Sequence, residues 1–143
     1  MTKKEVLQFL ATSLEQGYKD GILFHARFLE EFRTLLKDAS GHEKEILNLL
    51  VRQLGYVRDF GSRVNEVDGN EKIKYGDREY YSLHLQGKEF NLRFLMGFLA
   101  DESPVFLVAF YERSGKRVSD YSGYIDVLGQ RYKEIESEYQ DEK

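Results

Sequence analysis

Ser82, His84, Asn91 and Arg93 are the residues of this 143-residue chain whose types and spacing favour chemistry on one surface. The segment YYSLHL (80–85) alternates, with Tyr81, Leu83 and Leu85 on one side and Tyr80, Ser82 and His84 on the other. That is the period of a β-strand. Phe90, Leu92, Phe94, Met96 and Phe98 alternate in the same way. Gly87-Lys88 between the two runs suits a two-residue type II′ turn, with Gly at its first central position. Pairing Gln86 with Glu89 then sets His84 opposite Asn91 and Ser82 opposite Arg93, all on one face. A face of this composition is ordinarily the solvated side of a half-buried sheet. It is also a polar floor with one imidazole and one guanidinium. Arg93 interrupts an apolar strand, where a charge is disfavoured unless it is paired or used.

A second candidate follows the run VFLVAFY (105–111). Arg113, Lys116 and Arg117 put three cations within five residues, beside Gly115. Arg offers a planar fork for a phosphate and Lys a point charge, so the loop has the makings of a phosphate clamp. A solvated loop is the commoner fate of such a run. Tyr111 either caps the core or stacks a base. His25, His42 and His84 lie far apart without metal-ligand spacing, so no metal or cofactor is expected. The phosphate-loop, dinucleotide and nucleophile-elbow motifs do not occur.

Helices and strands must position these groups. Thr2-Lys3-Lys4-Glu5 reads as a capping box for a first helix carrying Val6, Phe9, Leu10 and Leu14, with Gly17 as its stop. Ile22-Leu23-Phe24 is either a brief strand or the start of the next helix. Phe28, Phe32, Leu35 and Leu36 define a second helix. Ser40 to Glu43 is another capping box, ahead of a third helix with Ile46, Leu50, Leu54 and Val57. Gly55 either ends that helix early or is tolerated within it. Residues 61–79 are polar and rich in Gly, Asn and Asp, and are expected to be a loop. Three antiparallel strands follow, the last continuously apolar and so covered on both faces. Tyr124, Leu128, Tyr132, Ile135 and Tyr139 recur at helical spacing in a closing helix. Helices segregated from antiparallel strands imply an α+β fold: N-terminal helices, a small antiparallel sheet and a C-terminal helix.

Composition narrows the classes. The length suits a single domain over residues 1–143. With no cysteine, there is no disulfide framework and no thiolate metal site, which fits a reducing, cytoplasmic setting. Ten Tyr and ten Phe are too many for a disordered chain. No apolar run is long enough for a membrane span, and no signal peptide is apparent. The net charge of −4 argues against non-specific binding to nucleic acid. The charge is uneven, however. Residues 72–117 carry 8 basic and 6 acidic side chains, and residues 118–143 carry 3 and 7.

The order of elements and several motifs resemble the RelE/HigB-like toxins, phage-derived toxins of toxin–antitoxin pairs. YYSLHLQGKEFNLRFLMGF (80–98) fits the family's hairpin, with Arg93 at its central arginine. VFLVAFYERSGKR (105–117) fits the apolar strand and basic loop, with Phe110 as the family's Phe. Ile125, Leu128 and Arg131 fit the Ile-x-x-Ala-x-x-Arg pattern of the closing helix, with Leu for Ala. The helices around residues 26–57 would be the family's paired helices. The resemblance covers residues 22–135, with residues 1–17 an additional helix. His84 and Leu85 stand where the family's first hairpin strand carries an arginine, and Glu112 replaces the first lysine of the loop.

The resemblance implies a metal-independent endoribonuclease acting on mRNA, with or without the ribosome. Arg93 and Arg113 would bind the scissile phosphate, and His84 is the candidate general acid or base. Lys116 and Arg117 would hold the RNA backbone, and Tyr80 or Tyr111 would stack bases. It also implies a cognate antitoxin, a small helix-turn-helix protein, as partner. The acidic tail and incomplete cation set favour a second reading: a catalytically silent prophage or mobile-element module that binds protein through the same fold. A gyrase-targeting relative on this fold is a third.

Overall fold

The Thr2 hydroxyl accepts from the Glu5 amide at 3.1 Å, and the Glu5 carboxylate takes the Thr2 amide at 3.2 Å. This capping box starts helix α1 (Lys3–Lys19). The computed structural model describes residues 2–39, 41–112 and 122–141. Helix α1 runs past Gly17, which serves packing and not termination. A Cβ there would come 3.0 Å from the Phe24 ring. Helix α2 (Ala26–Asp38) is capped by His25, whose Nδ1 accepts from the Arg27 amide at 3.0 Å. Helix α3 (Glu43–Phe60) begins one residue after His42 and passes through Gly55 unbroken. Its capping box is not described, because Ser40 lies outside the described residues. The Glu43 carboxylate instead accepts from the Gly41 amide at 3.1 Å.

The segment expected as a loop over 61–79 holds two elements. Gly61–Glu66 is a 3₁₀ turn, and Glu71–Tyr75 is strand β2, after the two-residue strand β1 (Leu23–Phe24). Only Ile73 of β2 is buried, so its apolar signal is a single residue. Strands β3 (Arg78–Gln86), β4 (Asn91–Phe98) and β5 (Pro104–Tyr111) follow, then helix α4 (Ile125–Asp141). The sheet therefore has five strands where three were expected, in the order β1-β5-β4-β3-β2. It is mixed: β1 lies parallel to β5, and the other pairs are antiparallel. The class is α+β.

Each face of the sheet carries its own core. On one side Phe28, Phe32, Leu47 and Leu50 of α2 and α3 pack on Leu83, Leu85, Phe94 and Phe106. Phe28 and Phe32 meet Phe94 edge-on, with centroids 5.0 and 5.2 Å apart. On the other, Leu128, Tyr132 and Ile135 of α4 cover Tyr80, Leu95 and Val105. Covering on both faces is what makes β5 read as an unbroken apolar run.

Strand β1 is too short to protect β5 along its whole edge. Glu31 of α2 takes over there. Its carboxylate accepts from the Ala109 amide at 3.1 Å and from Nη1 and Nη2 of Arg131, each at 2.9 Å. Arg131 Nη1 also donates to the Leu107 carbonyl at 2.7 Å. Farther along, His25 Nε2 lies 3.2 Å from the Glu134 carboxylate. Two side-chain links thus join α2 to α4 around the open sheet edge, a common liability of β proteins.

Candidate functional site

The β3–β4 hairpin turns one residue later than its sequence suggests. Gln86 pairs with Asn91, His84 with Arg93 and Ser82 with Leu95. The Gly87 amide donates to the Phe90 carbonyl at 3.0 Å, so Lys88 and Glu89 form the tip. The Phe90 ring folds back over Gly87 and is buried in the core on that side. A Cβ on Gly87 would stand 2.4 Å from that ring. Moving the turn by one residue shifts the pairing by two, and two is the side-chain period. Ser82, His84, Asn91 and Arg93 consequently still share a face, although the expected partners are wrong.

Ser82 and Arg93 on that face are buried where solvent was the ordinary expectation, and His84 and Asn91 are half-buried. The chain between the 3₁₀ turn and β2 crosses the end of β3 and lays Gly69, at φ +89°, on the His84 ring. A Cβ there would lie 3.2 Å from His84 Nδ1. Asn70 fixes this crossing. Its amide oxygen accepts from the His84 backbone at 2.9 Å, and its nitrogen donates to the Val64 carbonyl and to Gln53. Gln53, buried on α3, also donates to the His84 carbonyl at 3.0 Å. His84 Nε2 hydrogen-bonds the Asn91 amide oxygen.

Arg93 is buried and doubly engaged. Its Nε donates to Glu112 at 2.7 Å, and its Nη1 donates to the Gly69 carbonyl at 2.7 Å. The two side chains are 9% and 6% exposed. Glu112 is held in turn by its own amide, which donates to the Asn91 carbonyl at 2.7 Å. Paired in this way, a charge is tolerated inside an otherwise apolar strand.

The other candidates are dispersed. Tyr80, expected to stack bases, is 4% exposed beneath α4, where it meets Tyr132 edge-on at 6.3 Å. Burial raises its phenol pKa, and that of Tyr132, above the ordinary value. Tyr111, at 49% exposed, does reach solvent. Arg113, Lys116 and Arg117 lie outside the described residues. Among the described residues no cluster of His, Asp or Glu has the makings of a metal site, and no helix is long and apolar enough to cross a membrane.

Sequence reasoning flagged Arg93 as needing a partner but missed the partner itself. Glu112 reads as the opening of a charged loop, and Gly69 and Asn70 as loop residues. Only the alternation of β4 against the end of β5 would have placed Glu112 on the same face as Arg93. No family model, curated protein or solved structure matches this chain.

Proposed function

We propose that this chain is a protein-interaction module on a RelE/HigB-like arrangement, and that it acts by binding a partner, not by cleaving RNA. The observation that carries the reading is the Arg93–Glu112 pair. A scissile phosphate would have to displace a carboxylate held at 2.7 Å in a buried site. Breaking such a buried, hydrogen-bonded pair is costly, so the exchange is unfavourable. Arg131, the arginine of the closing-helix motif, is likewise engaged, with Glu31 and the Leu107 carbonyl. His84, the candidate acid or base, lies under Gly69 and bonded to Asn91. The likeness in arrangement rests on the paired helices α2 and α3, the β3–β4 hairpin, the apolar strand β5 and the closing helix.

Induction in a bacterial host from a tightly repressed promoter tests the reading. The expected result is intact total RNA alongside well-expressed soluble protein. Cleaved RNA, with cleavage lost in Arg93→Lys, would overturn it in favour of the endoribonuclease.

A further inference from the structure

The described residues hold a groove that the site above does not use. It has a volume of about 660 Å³ and lies where the ends of α1 and α3 meet the β2–β3 and β4–β5 turns. Its lining is mixed, and the apolar surface on its floor comes from the half-buried Phe98, with the buried Val57 and Tyr81 behind it. Phe60, the last residue of α3, stands at its edge with 44% of its surface exposed.

The rim is acidic. Asp20, Asp77, Glu79 and Glu102 face the groove against Arg58 and Arg78. Two of these carboxylates have cationic partners: Asp20 lies 3.8 Å from Arg58, and Glu79 lies 3.5 Å from Lys72. Asp77 and Glu102 form no ion pair among the described residues. Arg78 lines the groove without an ion pair to either, its guanidinium stacked on the Tyr132 ring at 3.7 Å. Glu102 adopts φ +72°, a conformation in which glycine or asparagine is the ordinary choice. The turn alone does not ask for a carboxylate there.

We propose that this groove docks a basic amphipathic segment of a protein partner, with an apolar side chain on the Phe60–Phe98 floor and Lys or Arg side chains at Asp77 and Glu102. The proposal rests on the interaction-module reading and specifies its surface. Charge decides the occupant. A nucleic acid would be repelled from this acidic rim, whereas Lys or Arg side chains of a protein segment would meet its unpaired carboxylates. Apolar anchors with complementary rim charges are the usual anatomy of helix-in-groove recognition.

The test uses the full chain, labelled with ¹⁵N, and an amphipathic Lys/Leu peptide as probe; the same peptide with Glu for Lys is the control. Saturable amide shifts at Phe60, Arg78, Phe98 and Glu102 are expected with the basic probe alone. Asp77→Asn with Glu102→Gln should weaken binding about tenfold, since each exposed pair contributes up to about a factor of five. Glu136→Gln with Glu138→Gln, on α4, should change it by less than about twofold. If the groove variant perturbs the whole spectrum, Phe60→Ala replaces it, with about a threefold loss expected from the lost apolar contact. Shifts spread along α4, or groove variants that bind like the parent chain, would overturn the proposal. Either result leaves the interaction reading standing, because that reading falls only with RNA cleavage on induction.

Discussion

Arg93 Nε donates to Glu112 Oε2 at 2.7 Å, from β4 to the residue that follows β5, and both side chains are largely buried. Arg93 pairs with Phe110 in the β4–β5 register, and Glu112 lies two residues further on. The two side chains therefore meet diagonally on one face of the sheet. Gly69, brought over from the β2 side, adds its carbonyl to the same guanidinium. One arginine thus ties three neighbouring stretches of chain together.

Removing one member breaks a buried ion pair from one side. Arg93→Met is expected to lower unfolding stability by about 3–5 kcal/mol, the usual cost of such a break. Arg93→Met with Glu112→Leu should recover most of that loss. Urea denaturation of the single and double variants measures the coupling. A single variant within about 1 kcal/mol of the parent would mean that the pair contributes no more than a surface one does.

Two glycines should respond in opposite directions to alanine. At Gly87 a Cβ would meet the Phe90 ring at 2.4 Å and the Glu45 carboxylate at 2.8 Å. Gly87→Ala should therefore cost about 1–3 kcal/mol through forced repacking. Gly129, inside α4, has nothing within 4 Å of its virtual Cβ. Gly129→Ala should stabilise by about 0.5–1 kcal/mol through helix propensity alone. Thermal melts of the two variants give the signs directly.

These contrasts bear on how much the sequence discloses. The helices were legible because their apolar residues recur over many turns. Arg93 was legible as an anomaly for the same reason, set in a long apolar strand. The hairpin face was read correctly while its register was not, because a two-residue error preserves side-chain parity. Strand β2 was hidden because Glu71, Lys72 and Lys74 surround its one buried residue, Ile73. Strand β1 was ambiguous because two residues carry no period. The crossing of Gly69 and Asn70 over His84 depends on Gln53, which is distant in sequence, and no local pattern encodes such a contact.

The edge clamp on β5 gives a third expectation. Glu31→Ala removes the acceptor of the Ala109 amide and the counter-ion of the mostly buried Arg131. A loss of about 2–4 kcal/mol is expected. Glu31→Ala with Arg131→Leu should recover part of it, but not the share due to the orphaned Ala109 amide. Hydrogen exchange at Ala109 reads that share separately.

Alkaline pH should destabilise the fold earlier than lysine titration would. Burial raises the pKa of Tyr80, Tyr81 and Tyr132 above the ordinary phenol value of about 10. The unfolded chain loses these protons first, so in that range the native state binds more protons than the unfolded state. Stability is then fully present below about pH 10 and falls as pH rises through the raised native values. Chemical denaturation midpoints between pH 8 and 11, expected to decline more gently in Tyr80→Phe, check the sign.

We propose that Arg93 is committed to Glu112 and does not bind phosphate. This claim is tested most directly by following the Arg93 Nε–H resonance in the ¹⁵N-labelled full chain while a single-stranded RNA oligonucleotide is added. A resonance that is slow to exchange with water, lost in Glu112→Leu and unmoved by RNA is the expected result. A resonance that shifts saturably with RNA would contradict the account and return Arg93 to the role of phosphate ligand.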